Sequence, residues 1–91
     1  MVSNPYPNPV RGEGGTVVFD LETSCPKKVT WTVVTGAYRK IYEETAEVDG
    51  TRKVEWDTTD LKGAPVATGT YFVFFRMDGS DVIRRVVIVL R

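Results

Sequence analysis

Nearly all the side chains in this sequence that could do chemistry are carboxylates. Eleven lie on the main body of the chain: Asp20, Glu22, Glu43, Glu44, Glu47, Asp49, Glu55, Asp57, Asp60, Asp78 and Asp81. Two carboxylates facing each other across a cleft can hydrolyse a glycosidic bond, but no spacing here singles out a pair. A chain of 91 residues also has little interior in which to enclose a cleft. Histidine is absent, and cysteine occurs once, at Cys25. That removes Ser-His-Asp and Cys-His catalysis and imidazole ligation of metals. Cys25 has no second cysteine with which to form an internal disulfide or a multi-cysteine zinc site. Asp57 and Asp60 could offer oxygens to calcium, but two carboxylates three apart lack the closing glutamate of a calcium loop. The reading preferred for them is a turn in which they accept backbone amides. No catalytic residue, cofactor or metal is expected.

What remains for function is surface. The 12 basic and 12 acidic residues balance, which argues against a nucleic-acid footprint. No apolar run approaches the length of a membrane span. The opening MVSNPYPNPVRGEGG lacks the basic and apolar regions of a signal peptide.

The elements that carry this surface read as strands. Pro5, Pro7 and Pro9, then Gly12, Gly14 and Gly15, make residues 1–15 an extended Pro/Gly-rich lead-in to the domain. Beyond it, period-two alternation recurs. Val17, Phe19 and Leu21 share one face, as do Val29, Trp31 and Val33 on the next strand. Residues 39–46 form a third strand, although Glu43 and Glu44 also suit a helix. Asp49-Gly50 and Asp78-Gly79 signal two-residue hairpins. Val54 and Trp56 point inward, as do Tyr71, Val73 and Phe75. The last strand, 82–90, ends in the apolar run Val86 to Leu90, so it is expected to be central or covered on its outer side. Six or seven short strands without a convincing helix imply an all-β, antiparallel β-sandwich over residues 16–91.

Several blocks match a known pattern: NPYPNP near the start, V-T-W-T-V-V-T-G, V-E-W-D-T-T-D-L-K-G-A-P-V-A-T-G-T-Y-F, and the ending R-R-V-V-I-V-L-R. From Asn4 to Arg91 the chain resembles the immunoglobulin-like domain of the flagellar hook-capping protein family. It is also similar to the C-terminal sorting domains of type IX secretion cargo proteins. The resemblance implies an all-β, immunoglobulin-like (fibronectin III-like) antiparallel β-sandwich of about seven strands. Two departures stand out. Ala37-Tyr38 follows Gly36 where a short polar turn is more usual, and Thr58 stands where glycine commonly follows Trp-Asp.

The resemblance implies a non-catalytic C-terminal accessory domain of an exported bacterial protein, secreted or at the cell surface. It would serve secretion sorting or attachment, and Met1 would not be the natural start of the parent chain. Its partners would be proteins: export machinery, copies of itself or neighbouring domains, with no nucleic acid and no membrane insertion. Two other readings stay open. One is a structural assembly module, a scaffold or filament subunit joined through strand edges. The other is a carbohydrate-binding module using outward aromatics. The residues expected to meet partners are Phe72 and Phe74, which alternate with the inward set, and Val86, Ile88, Leu90 and Arg91 of the last strand.

Overall fold

Runs of valine, threonine and aromatic residues suit a pleated, half-buried backbone, and the alternation of the sequence becomes seven strands among the described residues. The computed structural model describes residues 2–11, 15–77 and 82–90. Its strands are β1 (Val10–Arg11), β2 (Val17–Glu22), β3 (Lys27–Thr35), β4 (Lys40–Val48), β5 (Thr51–Trp56), β6 (Gly69–Met77) and β7 (Ile83–Leu90). They form a five-stranded sheet in the order β1-β7-β6-β3-β4 and a two-stranded sheet of β2 and β5. All pairings are antiparallel except β1 with β7, which run parallel through Val10–Val89 and Arg11–Leu90. The fold is an all-β sandwich.

The inward faces meet as the alternation requires. Val17, Phe19 and Leu21 on β2, with Val54 and Trp56 on β5, cover Val29, Trp31 and Val33 on β3 and Tyr71, Val73 and Phe75 on β6. Aromatic rings span the layers. Phe19 meets Phe75 edge-on at 5.0 Å, and Trp56 meets Tyr71 at 5.7 Å. Trp31 packs against Tyr42 of β4 at 5.2 Å. Residues 40–48 are therefore strand throughout, because their inward side chains extend the core that Trp31 begins.

Asp49-Gly50 does not close a hairpin. It joins β4, which pairs with β3, to β5, which pairs with β2, and so turns the chain from one sheet to the other. Gly50 takes the left-handed conformation at φ 79°. Thr23 holds the corner through its amide on the Gly50 carbonyl, 2.8 Å. Asp78-Gly79 lies outside the described residues, although β6 and β7 on either side of it do pair.

Residues 1–15, read from the sequence as a lead-in, contribute to the sandwich itself over the described part. Val2 and Val10 are buried in the core and Pro5 is buried as well. The segment first runs antiparallel to β2, with Tyr6 and Val18 exchanging backbone bonds of 3.0 and 2.8 Å. It then crosses to the other sheet and becomes β1. Apolar residues spaced along an otherwise proline-rich stretch allow this, since proline is tolerated at a sheet edge.

The Trp-Asp block is a built corner. Trp56 Nε1 donates to the Thr59 carbonyl at 2.9 Å. Asp60 Oδ1 accepts the amides of Lys62 and Ala64 at 2.9 and 3.0 Å, and Asp57 accepts the Thr59 hydroxyl. Both carboxylates thus serve the turn. Among the described residues no group of three acidic, cysteine or histidine side chains is placed to hold a metal ion. Thr58 is buried at φ 59°, a conformation unfavourable for a β-branched residue, and its hydroxyl donates to the Gly15 carbonyl at 3.0 Å. Glycine would adopt this backbone freely. Thr58→Ala removes the hydrogen bond and keeps the left-handed backbone, whereas Thr58→Gly relieves it. In urea unfolding, the glycine variant is expected to be more stable than the alanine variant by about 1 kcal/mol.

Candidate functional site

The outer face of the five-stranded sheet collects the side chains that alternate with the core. Phe72 stands opposite Val86 on β7 and Val34 on β3, Phe74 opposite Arg84 and Thr32, and Thr70 opposite Ile88. The sequence-derived residues Phe72, Phe74, Val86 and Ile88 therefore share one face. Leu90 lies on the same side of β7, half-buried, at the register position of Arg11. Arg91 lies outside the described residues.

Phe72 and Phe74 are half-buried because another ring covers them. Tyr38, in the turn between β3 and β4, stacks on Phe72 at 5.5 Å with only 7° between the planes, and tilts over Phe74 at 6.5 Å. The Arg84 guanidinium lies 5.4 Å from the Phe72 centroid, a cation–π distance. Tyr38 holds this pose from a left-handed backbone at φ 62°, with its amide on the Thr35 carbonyl at 2.8 Å. The accessible apolar groups are then Tyr38, 62% exposed, with Val86 and Ile88 at 37% and 39%. Tyr38 was not among the residues expected from the sequence. The signal was its position, an aromatic in a turn where polar residues are usual.

The last strand was expected to be central or covered on its outer side. It is interior to its sheet, between β1 and β6, and its outer side stays open at Val86 and Ile88. Its far edge is closed by the chain's own N-terminal segment. Asn8 Nδ2 donates to the Val86 carbonyl at 3.1 Å, and the Ile88 amide donates to Asn8 Oδ1 at 2.9 Å. One side-chain amide thus imitates a strand residue, and β1 continues the pairing one step on. Arg85, on the inner side of β7, donates to the Val2 and Ser3 carbonyls at 2.8 and 3.3 Å. The proline-rich start and the apolar final strand pair with one another.

A polar latch holds the other end of this segment. The Tyr6 hydroxyl donates to the Asp20 carboxylate at 3.0 Å and accepts the Lys53 ammonium at 2.8 Å, while Lys53 reaches Asp20 Oδ1 at 2.7 Å. The Lys53 hydrogen bond holds the Asp20 carboxyl below its ordinary value, against a smaller opposing effect of desolvation and with help from Tyr6. Asp20 in turn holds the Lys53 ammonium above the ordinary lysine range, with Tyr6 adding to the effect.

No protein-family model matches this chain, and no curated protein matches it. Solved structures do. Dimeric latent PorU from Porphyromonas gingivalis superposes with a TM-score of 0.72 at 17% identity, over 93% of this chain and 9% of that one. PorZ, described as an essential bacterial surface component of the type-IX secretion system of Porphyromonas gingivalis, superposes with a TM-score of 0.52 at 23% identity, over 97% of this chain and 11% of that one. At such identities the likeness is one of fold. The chain spans about a tenth of the length of either structure.

Two outcomes test how the N-terminal segment is held. Asn8→Ala, which removes both bonds to β7, is expected to lower stability by about 1 kcal/mol in denaturant unfolding. The latch has a defined pH window. A depressed Asp20 pKa stabilises the docked segment above the unfolded value of about 3.9, and this is lost as pH falls through the folded value. A raised Lys53 pKa stabilises it below about 10.4, and this is lost as pH rises through the folded value. Hydrogen exchange at Ser3 and Tyr6, corrected for intrinsic rates, is expected to be faster at about pH 3 than at about pH 6, and Asp20→Asn should abolish the difference.

Proposed function

We propose that this chain is a non-catalytic accessory domain of an exported bacterial protein, serving secretion sorting or attachment at the cell surface. The observation that carries this reading is the superposition of almost the whole chain on about a tenth of PorU. A unit of this size within a much longer protein suits a module that accompanies a larger cargo. The likeness to PorZ, a surface component of type-IX secretion, supports the same setting. So do the sequence blocks. NPYPNP supplies the edge closure through Asn8, and the Trp-Asp block supplies the corner that sets β5 against β6.

Recognition on this reading is by protein partners, through the outer face of the five-stranded sheet. Tyr38, Val86 and Ile88 provide exposed apolar area, Phe72 and Phe74 support Tyr38 from beneath, and Leu90 ends the same strand. The carboxylates noted in the sequence fit structural and solvated roles, as Asp57, Asp60 and Asp20 illustrate.

The test is export of a passenger. Fused upstream of this domain, a folded reporter is expected to reach the surface or medium of a host with type IX secretion, and to be retained when that system is inactivated. Val86→Lys with Ile88→Lys should reduce export at least about tenfold while leaving the domain's thermal unfolding within a few degrees, since both side chains face solvent. Retention of an intact, folded wild-type fusion in the competent host would sink the proposal.

A further inference from the structure

The edges of the two sheets are treated unequally. β7 is closed by β1 and the Asn8 side chain, and β2 by residues 2–6. On the opposite flank, β4 pairs only with β3 among the described residues. Two groups there are already taken. The Ile41 carbonyl accepts the Leu61 amide at 3.0 Å, and the Glu47 carbonyl accepts Arg52 at 2.8 Å. In an antiparallel ladder the N–H and C=O of one residue point the same way, and alternate residues point alike. The ladder is irregular at Ile41, but Glu43 and Thr45 are in phase with Glu47 along the regular part of β4 and therefore direct their amides and carbonyls away from β3. A short open window remains from Tyr42 to Ala46.

The side chains around that window select what could fill it. Glu43 and Thr45 stand on the outer face, opposite Thr32 and Thr30. Glu44 occupies an inward position, at a groove of about 460 Å³ lined by Glu44–Ala46 on one side and Arg52, Lys53 and Glu55 on the other. A second copy is a poor occupant. Antiparallel addition of β4 to β4 through this window has three registers. They place Glu43 against Glu43, Glu44 against Glu44, or Glu43 against Glu47. Like charges directly opposite each other across strands are destabilising. A strand with a basic residue opposite Glu43 meets the reverse situation.

We propose that the β4 edge from Tyr42 to Ala46 accepts an extended segment of a different protein, adding as a sixth strand with a lysine or arginine opposite Glu43. The backbone groups of Glu43 and Thr45 supply the binding, and the glutamates supply the selection against self-pairing. Side chains on either side of the basic residue enter the groove between β4 and β5. The backbone of this edge is distinct from the apolar group of Tyr38, Val86 and Ile88, and the proposal does not depend on a role in export.

The test uses the whole chain, labelled with ¹⁵N, and two capped seven-residue peptides. One repeats lysine–valine–threonine–valine and the other glutamate–valine–threonine–valine. The lysine peptide is expected to shift the amides of residues 42–46, with an affinity at least about threefold above that of the glutamate peptide. Glu43→Lys should reverse the preference, and Glu43→Gln should erase it, with spectra elsewhere unchanged. Equal affinity for both peptides, shifts centred on another strand, or no shifts at about 1 mM peptide would overturn the proposal.

Discussion

A sheet of two strands cannot stand alone in water, and much of this structure follows from that constraint. β2 and β5 persist because Phe19 and Trp56 reach across the sandwich to Phe75 and Tyr71. Rings of this size bury large areas and favour edge-on contacts, so a few residues fix the spacing and orientation of the layers. With the layers set, the remaining problem is the borders. The N-terminal segment widens the narrow sheet along β2 and then closes the broad sheet along β7. The corner after Trp56 fixes how β5 departs, through Asp60 and the buried hydroxyl of Thr58.

The outer face is organised by the same borders. Because β1 lies beyond it, β7 is an interior strand whose apolar outer residues are presented on a flat surface rather than at a frayed rim. Tyr38 then covers the two phenylalanines, leaving a compact exposed group instead of a long aromatic stripe. The two flanks of the sandwich differ in kind. One is sealed by the chain itself, and the other is guarded by acidic side chains on β4.

Much of this was legible in the sequence, for a physical reason. Alternation with period two is imposed directly by burial on one side of a sheet, so Val17, Phe19 and Leu21, or Tyr71, Val73 and Phe75, announce their face. The outward setting of Phe72 and Phe74 follows from the same rule. What could not be read depends on contacts between distant residues. Asn8 bonds to residues nearly eighty positions away, and nothing local marks its amide as a substitute for backbone. Asp49-Gly50 has hairpin chemistry, but pairing of β4 with β3 and β5 with β2 turns the same residues into a corner between sheets. Tyr38 and Thr58 lie between these extremes. Both depart from the pattern the rest of the chain follows, and both take a left-handed backbone.

The parallel pairing of β1 with β7 has a mechanical meaning. Because these strands point the same way, tension entering through the N-terminal segment and leaving through the end of β7 slides one along the other. The ladder bonds and the Asn8 clamp are then strained together, in shear, instead of opening one after another like a zip. Force carried along the backbone through this segment would load the seam across its bonds at once.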